Sequence, residues 1–335
     1  MSRSSVQFRR VALCFFKIGG RMKPIIKILV LSIAASFPVL AQGTAGQTGF
    51  EFLRTEISAR QSGMGGAFAA VDGDVYGLTC NPASLAGLKR REAAVTVVDY
   101  LVDMQLGFAG FSSPLKSGGM IGLGIGYANY GQFQWTDESG LPAGSSSPGD
   151  ILLTAAYANG FSKTLRYGIS LRYIRSTIQN YSSDAAGVNA GILLLIPGQQ
   201  MTCGFAILNA GRGLSGFMDR IEKIPTSVRV GVTKRLMHLP LLINIDAYKF
   251  VYESDHVFDG VYWVLGGEFT VSDHLLLRFG YNSRGSEERM GANSSRVTGL
   301  SLGAGILVRN LRIDYSRNSY GVLGSVNSFG VTADF

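Results

Sequence analysis

Alternation of apolar residues with small or charged ones is the feature that most constrains how this chain of 335 residues can fold. Residues 165–173 place Leu, Tyr, Ile, Leu and Tyr at odd positions and Arg, Gly, Ser and Arg at even ones. The same two-residue period recurs in residues 121–128, 241–247 and 311–316. Because successive side chains of a strand point to opposite faces, each segment predicts a strand with one apolar and one small or polar face.

The number and spacing of these segments predict an all-β fold, a transmembrane antiparallel up-and-down barrel of about 14 strands. Most segments are near the roughly 9–11 residues that a tilted membrane strand needs. Short connections alternate with longer polar ones, except for a tight first connection near Val102. After residue 41 no apolar run of about 18 residues occurs, so helical spans are not predicted. The predicted strands are 93–101, 103–113, 120–130, 151–160, 165–177, 187–196, 200–209, 226–235, 241–251, 261–271, 274–283, 297–308, 310–317 and 327–335.

Aromatic residues gather near the predicted strand ends, where they are typical of interfacial girdles. The last residues alternate and end on Phe335, the predicted assembly signal of a final strand that pairs with the first. In lipid this pairing is required, because an open sheet edge leaves backbone groups without hydrogen-bond partners. The predicted girdle residues are Tyr127, Tyr130, Phe133, Trp135, Tyr248, Phe250, Tyr252, Tyr262 and Trp263.

Residues 1–41 are predicted to be a signal peptide, with Met22 as its true start. From Met22 the chain has basic residues, a short apolar stretch and a cleavage site at Val39–Ala41. A membrane anchor is the alternative, but the apolar stretch is shorter than a spanning helix. Residues 1–41 hold seven of the 31 Lys and Arg and no acid, which leaves 24 bases against 23 acids. Seven of the eight net positive charges therefore belong to the export signal, and the mature chain has no nucleic-acid footprint.

Residues 42–91 do not alternate and are predicted to form a hatch inside the barrel, whose wall spans 92–335. Gly and Asn-Pro punctuate loops and short helices, and glycines let the backbone pack closely against a wall. A barrel of about 14 strands encloses a lumen that leaks unless something fills it. A small periplasmic extension is the alternative to a hatch. The predicted hatch motif is Gly63, Gly65, Gly66, Asn81, Pro82 and Ala83.

Several stretches, in order along the mature chain, resemble the PorV/PorQ family, which is related to the FadL-type outer-membrane transporters. Residues 77–80 depart from the family pattern, which has bulkier or aromatic residues before Asn81. The stretches that carry the resemblance are Gly49–Leu53, Ser58–Arg60, Met64–Ala67, Asn81–Ala83, Tyr127–Phe133 with Asp137 and Glu138, Tyr181–Ser183, and Asp314–Ser316 through Tyr320–Gly324.

The resemblance implies a FadL-like barrel with an internal hatch in the cell outer membrane. It implies a non-enzymatic role beside the type IX secretion system, in protein secretion or surface attachment. The expected partners are outer-membrane lipid and secretion-system or cargo proteins. The alternative function is FadL-like uptake of a small hydrophobic compound, which should require an apolar pocket between hatch and wall. The predicted inward residues are mostly Gly, Ser, Asn and Arg, which favours the secretion role.

Five arginines fall on the predicted inward face. An Arg facing lipid at the middle of the membrane would cost about 2–4 kcal/mol, so inward placement is expected. The simplest interpretation is that these arginines meet hatch acids such as Asp72 and Asp74. The alternative is that these arginines line a path for anions or form a docking surface for a partner. The predicted lumen-facing basic residues are Arg166, Arg172, Arg229, Arg278 and Arg312.

The sequence predicts no catalytic residues, no cofactor and no metal site, and the chain is not expected to be an enzyme. Residues 299–303 match the nucleophile-elbow pattern, but they lie within an alternating strand rather than at a strand-turn-helix corner. His256 with Asp255 and Asp259 could bind a cation or serve a barrel protease, yet a solvated loop explains them better.

The remaining polar candidates also have simpler explanations. Asp72 and Asp74 could bind calcium, but two acids around a glycine usually form a turn. Cys80 and Cys203 remain after processing, and two buried free thiols are favoured over a disulfide.

Overall fold

The computed structural model describes residues 48–136, 139–217, 221–251, 260–287 and 298–335. The predicted signal peptide therefore lies outside the described residues, as do residues 42–47 of the predicted hatch. Tyr252 and the predicted loop group of Asp255, His256 and Asp259 also lie outside them. No helix in the described part of the chain is both long and apolar enough to span a membrane.

Fourteen strands of the described chain form one closed antiparallel barrel, which confirms the predicted fold class. Each strand pairs with its neighbours along the chain, except that the hairpin β4–β5 lies between β3 and β6 and forms a separate two-stranded sheet. The wall strands are β1 (Glu92–Asp99), β2 (Gln105–Pro114), β3 (Met120–Asn129), β6 (Gly149–Gly160), β7 (Leu165–Ile178), β8 (Tyr181–Ile196), β9 (Met201–Gly213), β10 (Ser227–Arg235), β11 (Leu241–Phe250), β12 (Val261–Ser272), β13 (Leu275–Asn282), β14 (Leu300–Val308), β15 (Leu311–Ser319) and β16 (Ser325–Asp334), and the hairpin is β4 (Phe133–Thr136) with β5 (Pro142–Ser146).

The first and last strands close the barrel. β1 pairs with β16 from Glu92 opposite Asp334 to Asp99 opposite Asn327, without a register shift. This ladder satisfies the backbone groups of both edges, each of which would otherwise cost several kcal/mol in lipid. Phe335 follows β16, and its ring stacks on that of Phe111 with 6.2 Å between ring centroids. Its role as an assembly signal stays a prediction.

Alternation places apolar side chains outside and small or polar ones inside. On β7, Leu171 is 62% exposed whereas the next residue, Arg172, is 5% exposed. The pattern continues on β3, where Leu123 and Ile125 are exposed and the intervening glycine faces the lumen. The outer surface of the wall is therefore apolar, as a lipid-facing surface must be.

Connection lengths distinguish the two ends of the barrel. The end with longer connections, here called the outer end, carries residues 130–148, 214–226, 251–260 and 283–299. The opposite, inner end carries short turns such as 273–274 and 309–310.

Three outer connections are short, at residues 100–104, 179–180 and 320–324. The predicted tight connection near Val102 occurs, because Val102 and Asp103 both adopt left-handed backbone angles in a two-residue turn. The predicted long connection at 178–186 is wrong, since β7 and β8 extend to a turn at residues 179–180.

Four of the predicted girdle aromatics pack towards the lumen instead, among them Tyr130 and Tyr262. Tyr248 and Phe250 are 3% and 2% exposed and pack with Ala67 and Val264. Phe133 and Trp135 lie on the β4–β5 hairpin, outside the barrel sheet. Clustering near strand ends did not reveal these positions because an interior hatch also provides an apolar surface for aromatic rings to cover.

The described part of the N-terminal segment, residues 48–91, lies inside the lumen and is called the hatch below. It begins near the outer end, where Gly49 N donates to Lys223 O at 2.9 Å, and it joins β1 at the inner end. Phe50 and Phe52 pack with Val98 and Leu106 of the wall. The helices of the hatch are a 3₁₀ turn (Glu51–Arg54), α1 (Ala59–Gly63), α2 (Gly77–Cys80) and a second 3₁₀ turn (Pro82–Gly87), and those elsewhere are α3 (Ser283–Glu287) and the 3₁₀ turns Pro197–Gln199 and Gly321–Leu323.

Glycines in the wall allow the hatch backbone to approach the strands. A Cβ added to Gly191 on β8 would overlap the side-chain oxygen of Asn81. A Cβ added to Gly280 on β13 would overlap the backbone of Met64 and Gly65. These two sites lie on strands five positions apart in the wall, so the hatch contacts well-separated parts of the barrel.

We predict that Gly191→Val displaces the hatch and destabilises the protein by about 1–3 kcal/mol, the usual cost of overpacking. Thermal unfolding of the purified chain in detergent, together with limited proteolysis of residues 48–91, measures both effects. Gly198→Val is the matched control, because Gly198 lies in an inner turn with open space around its Cβ position. Equal melting temperatures and equal proteolysis of the two variants would contradict the assigned contact.

Candidate functional site

The Asn81-Pro82-Ala83 part of the predicted hatch motif links two hatch segments to the wall. The Asn81 side-chain nitrogen donates to Ala69 O at 2.6 Å and to Ile192 O of β8 at 3.4 Å. Its side-chain oxygen accepts from Ala83 N at 3.1 Å and caps the turn that begins with Pro82. All three residues of the motif are buried. Asparagine suits this position because its amide group can donate and accept hydrogen bonds at the same time.

The glycine part of the motif forms the turn after α1. Gly65 and Gly66 adopt φ values of 69° and 96°, which L-residues rarely adopt. Gly63 packs against Gly303 of β14, where an added Cβ would lie 3.2 Å from the Gly303 Cα. Asn282 of the wall donates to Gly65 O at 3.1 Å. The turn thus brings bare backbone against β13 and β14.

Three arginines and three acids form a closed ring of ion pairs between the hatch and the wall. Arg60 of α1 holds both oxygens of Glu268 on β12, at 2.7 and 2.8 Å, and contacts Asp74 at 2.9 Å. Arg278 of β13 forms an ion pair with the same Glu268 carboxylate at 2.7 Å. In order, the members of this ion-pair ring are Arg60, Glu268, Arg278, Asp314, Arg312 and Asp74.

The ring closes through β15. Arg278 contacts Asp314 at 2.7 Å, Asp314 contacts Arg312 at 2.9 Å, and Arg312 returns to Asp74 at 3.1 Å. Burial alone would raise the pKa of the Asp74 carboxyl, but Arg312 and Arg60 together hold that pKa below its usual value. The hatch acid is therefore ionised at neutral pH, and every charge in the ring has two partners of opposite sign.

Two of the other three predicted arginines contact the hatch at separate points. Arg166 forms an ion pair with Asp72. Arg172 donates to Leu78 O at 2.9 Å and to Thr79 O at 3.2 Å, at the end of α2.

Arg229 differs from the other four because an aromatic ring holds it. Its guanidinium lies 4.5 Å from the centre of the Tyr248 ring. Three of the five arginines, Arg166, Arg172 and Arg312, thus contact the hatch directly, while Arg229 packs beside it. For Arg278 the connection runs through Glu268, which it shares with Arg60.

Sequence reasoning missed the wall acids that hold the hatch. Asp246 of β11 accepts from Phe68 N and Ala69 N at 2.7 and 2.8 Å. Glu92 at the start of β1 accepts from Val75 N at 2.6 Å. Asp246 and Asp314 fall on the inward face of alternating strands, so the sequence could have predicted that both acids face the lumen. It could not have predicted which hatch groups they contact.

A cavity of about 150 Å³ lies between the hatch and the wall at the outer end of the lumen. Its hatch side is formed by residues 51, 54–56 and 65, and its wall side by the outer ends of β13, β14 and β15. Tyr100, Tyr248 and Tyr320 supply aromatic surface, and Asn282 and Asn318 supply amides. This cavity is the candidate ligand site of the described residues.

The residues considered for other chemistry have structural roles. Ser301 of the elbow-like pattern lies within β14 and is buried, so it has no corner from which to act as a nucleophile. Asp72 and Asp74 form ion pairs with arginines, and the described residues contain no cluster suited to a metal. Cys80 and Cys203 are free thiols, the first buried and the second half-buried.

No family model and no curated protein sequence matches this chain. Solved structures match its fold. A FadL homologue of Pseudomonas aeruginosa superimposes with a TM-score of 0.57 at 15% identity, covering 87% of this chain and 100% of that one. The toluene transporter TbuX of Ralstonia pickettii gives 0.55 at 14% identity over 87% and 100% of the two chains. The toluene transporter TodX of Pseudomonas putida gives 0.52 at 11% identity over 82% and 96%.

These likenesses concern the fold, which is an outer-membrane-type barrel of the FadL kind. They extend over essentially the whole of each neighbour, so the shared architecture is not limited to a few strands. TbuX and TodX are named as toluene transporters, and CymD is named as a monoaromatic hydrocarbon channel.

We predict that Glu268→Gln destabilises the protein by about 3 kcal/mol, because removing one partner of a buried ion pair leaves its arginines short of charge. Urea unfolding of the chain in lipid vesicles measures the change. Arg175→Gln is the control, since the Arg175–Asp184 pair is 4.0 Å long with Arg175 half exposed, and it should cost under about 1 kcal/mol. A loss for Glu268→Gln no greater than that of the control would show that the ring does not hold the hatch.

Proposed function

We propose that this chain is a hatch-closed channel in the cell outer membrane that takes up a small, largely hydrophobic compound. The single observation that carries the proposal is the FadL-type architecture, which covers 87% of the chain. The solved structures that share this architecture include toluene transporters. At 14–15% identity that likeness supports the transport class and leaves the substrate to be tested. Outer-membrane lipid is the expected surrounding of the wall.

The internal contacts are consistent with a channel at rest. Wall acids and arginines hold the hatch at many separate points through hydrogen bonds and ion pairs. Polar contacts can exchange with water, which replaces a lost partner more readily than it replaces buried apolar packing. A hatch held in this way can close the lumen and still move when a ligand binds.

A second candidate is the secretion or surface-attachment role, with secretion-system or cargo proteins as partners. The order of the stretches that resemble the PorV/PorQ family is one support for this role. Another is that the cavity found in the described lumen is small and lined partly by charged residues rather than being a continuous apolar path. A barrel that binds proteins needs no conducting path.

We predict that cells producing the chain accumulate labelled toluene faster than cells carrying an empty vector, because the intact outer membrane slows hydrophobic compounds. Glu268→Gln should raise the initial rate several-fold by loosening the hatch, whereas Arg175→Gln should leave the rate unchanged. Initial rates of accumulation, normalised to folded protein on a gel, provide the measurement.

The two candidate functions separate cleanly in the source organism. Deletion of the gene followed by a census of secreted proteins and a toluene accumulation assay addresses both. Lost accumulation with unchanged secretion supports the channel. The secretion role would replace the channel if deletion abolished secretion without changing toluene accumulation, and if cells producing the chain accumulated toluene no faster than cells with an empty vector.

A further inference from the structure

An open groove lies on the outward face of the wall, beside the turn between β6 and β7. The groove measures about 240 Å³ and presents only apolar surface. The residue between two of its lining positions, Arg166, points inward and pairs with Asp72 of the hatch. The groove therefore belongs to the membrane-facing surface and is separate from the lumen. The four residues that line it are Phe161, Leu165, Tyr167 and Ile192.

The groove runs from the inner end of the wall towards the middle of the membrane. Phe161 and Leu165 flank the turn at the inner end, where Phe161 N donates to Leu165 O at 2.8 Å. Tyr167 lies opposite Ile192 in the ladder between β7 and β8. This pair is about 7 Å farther along the wall than Leu165, because a strand rises about 3.3 Å per residue. An acyl chain that follows the wall can lie in the groove with its head group at the turn.

The turn beside the groove carries an exposed positive charge. Lys163 lies at the tip of the turn and forms no ion pair with the described residues. The turn itself is fixed, since Leu195 N of β8 donates to Thr164 O at 2.7 Å. The ammonium group thus stands at the end of a membrane strand, at the level of the lipid head groups.

The neighbouring inner turns strengthen this positive charge. The turn at 114–119 contains the exposed Lys116 and no acid, and the turn at 197–200 contains no charged residue. Next along the inner end, residues 89–91 add three exposed bases, beside which Asp334 is exposed. Each base near a membrane surface favours an anionic lipid by about fivefold in affinity. The inner end of β1–β7 therefore attracts anionic head groups.

The groove and the charge together favour a lipid over other acidic partners. An acidic protein could pair with the bases, but the groove lies on the lipid-facing wall, where a protein outside the membrane cannot enter it. A free phosphate ion would likewise leave the groove unused. A glycerophospholipid places a phosphate and an acyl chain in the same order along the wall as Lys163 and the groove.

We infer that the groove and Lys163 bind one anionic glycerophospholipid of the leaflet at the inner end, with an acyl chain against Phe161, Tyr167 and Ile192 and the phosphate beside Lys163. The site depends on the membrane location of the wall and not on whether the lumen conducts a hydrophobic compound. Because the site joins residues of β7, β8 and their inner turn, only the folded barrel can form it. A lipid bound there therefore stabilises the folded state.

Native mass spectrometry of the purified full chain in detergent tests the site, with phosphatidylglycerol and phosphatidylethanolamine of matched acyl chains as probes. We expect one phosphatidylglycerol to be retained per chain, about fivefold more tightly than phosphatidylethanolamine. Lys163→Gln should weaken the retention of phosphatidylglycerol about fivefold and abolish the preference between the lipids. Phe161→Ser should weaken the retention of both lipids, because it removes one side of the groove.

Two exposed residues of other inner turns provide matched controls. Arg309→Gln removes a base, and Met237→Ser removes an apolar side chain, and neither residue lines the groove. Both control variants should retain the two lipids as the native chain does. Phe161 and Lys163 are exposed in a turn, so their substitution should leave the barrel folded, and the melting temperatures without lipid verify this.

The outcomes separate a lipid site from general attraction to the inner end. Equal losses for Lys163→Gln and Arg309→Gln would mean that charge alone attracts the lipid and would overturn the site. Displacement of phosphatidylglycerol by its deacylated head group, glycerophosphoglycerol, at the same concentration would show that the groove holds no acyl chain, with the same consequence. Thermal unfolding is the independent readout. Phosphatidylglycerol should raise the melting temperature of the native chain and of both controls more than that of Lys163→Gln or Phe161→Ser, and an equal rise in every variant would contradict the assignment.

Discussion

The burial of charge inside a membrane barrel is the constraint on which the rest of this structure depends. A charged side chain facing lipid costs several kcal/mol, and one buried without a partner costs as much or more. The ion-pair ring meets this constraint, because each of its three arginines lies between two carboxylates and each carboxylate lies between two arginines. The hatch supplies two members and the wall supplies four, so only the assembled ring gives every charge two partners of opposite sign.

Close backbone contact is the second condition that the ring imposes. Arginine and carboxylate can meet at 2.7–3.1 Å only if α1 and the turn after it lie directly against β12–β15. Gly280 and Gly303 make this approach feasible, since a side chain at either position would push the hatch away. The polar, glycine-rich inner face of the wall is thus explained by the hatch that it contacts. A water-filled lumen would require polarity but would not require glycine at these points.

The sequence predicted the wall better than it predicted the lumen, for a physical reason. Successive side chains of a strand point to opposite faces, so the local sequence alone predicts their orientation. Residues 165–173 therefore predict that Arg172 points inward without knowledge of the fold. Contacts between hatch and wall join residues far apart in the chain, such as Arg60 and Glu268, and no local pattern records them. Tyr248 and Phe250 were misplaced for the same reason, because aromatic clustering does not distinguish a lipid interface from the surface of a hatch. The outer cavity also escaped prediction, since residues from the hatch and five parts of the wall converge there only after closure.

The order of charges around the ring bears on how the hatch can move. Displacing the hatch breaks the ring at two places, between Arg60 and Glu268 and between Asp74 and Arg312. Arg60 and Asp74 remain paired with each other on the hatch. Glu268, Arg278, Asp314 and Arg312 remain paired along the wall, with two charges of each sign. Both halves are electrically neutral and internally paired, so separation leaves no isolated buried charge. A single hatch–wall ion pair would leave one unpaired charge on each side when the hatch moved, whereas this ring leaves paired charges on both sides. The ring therefore stabilises the closed position and also lowers the cost of displacing the hatch.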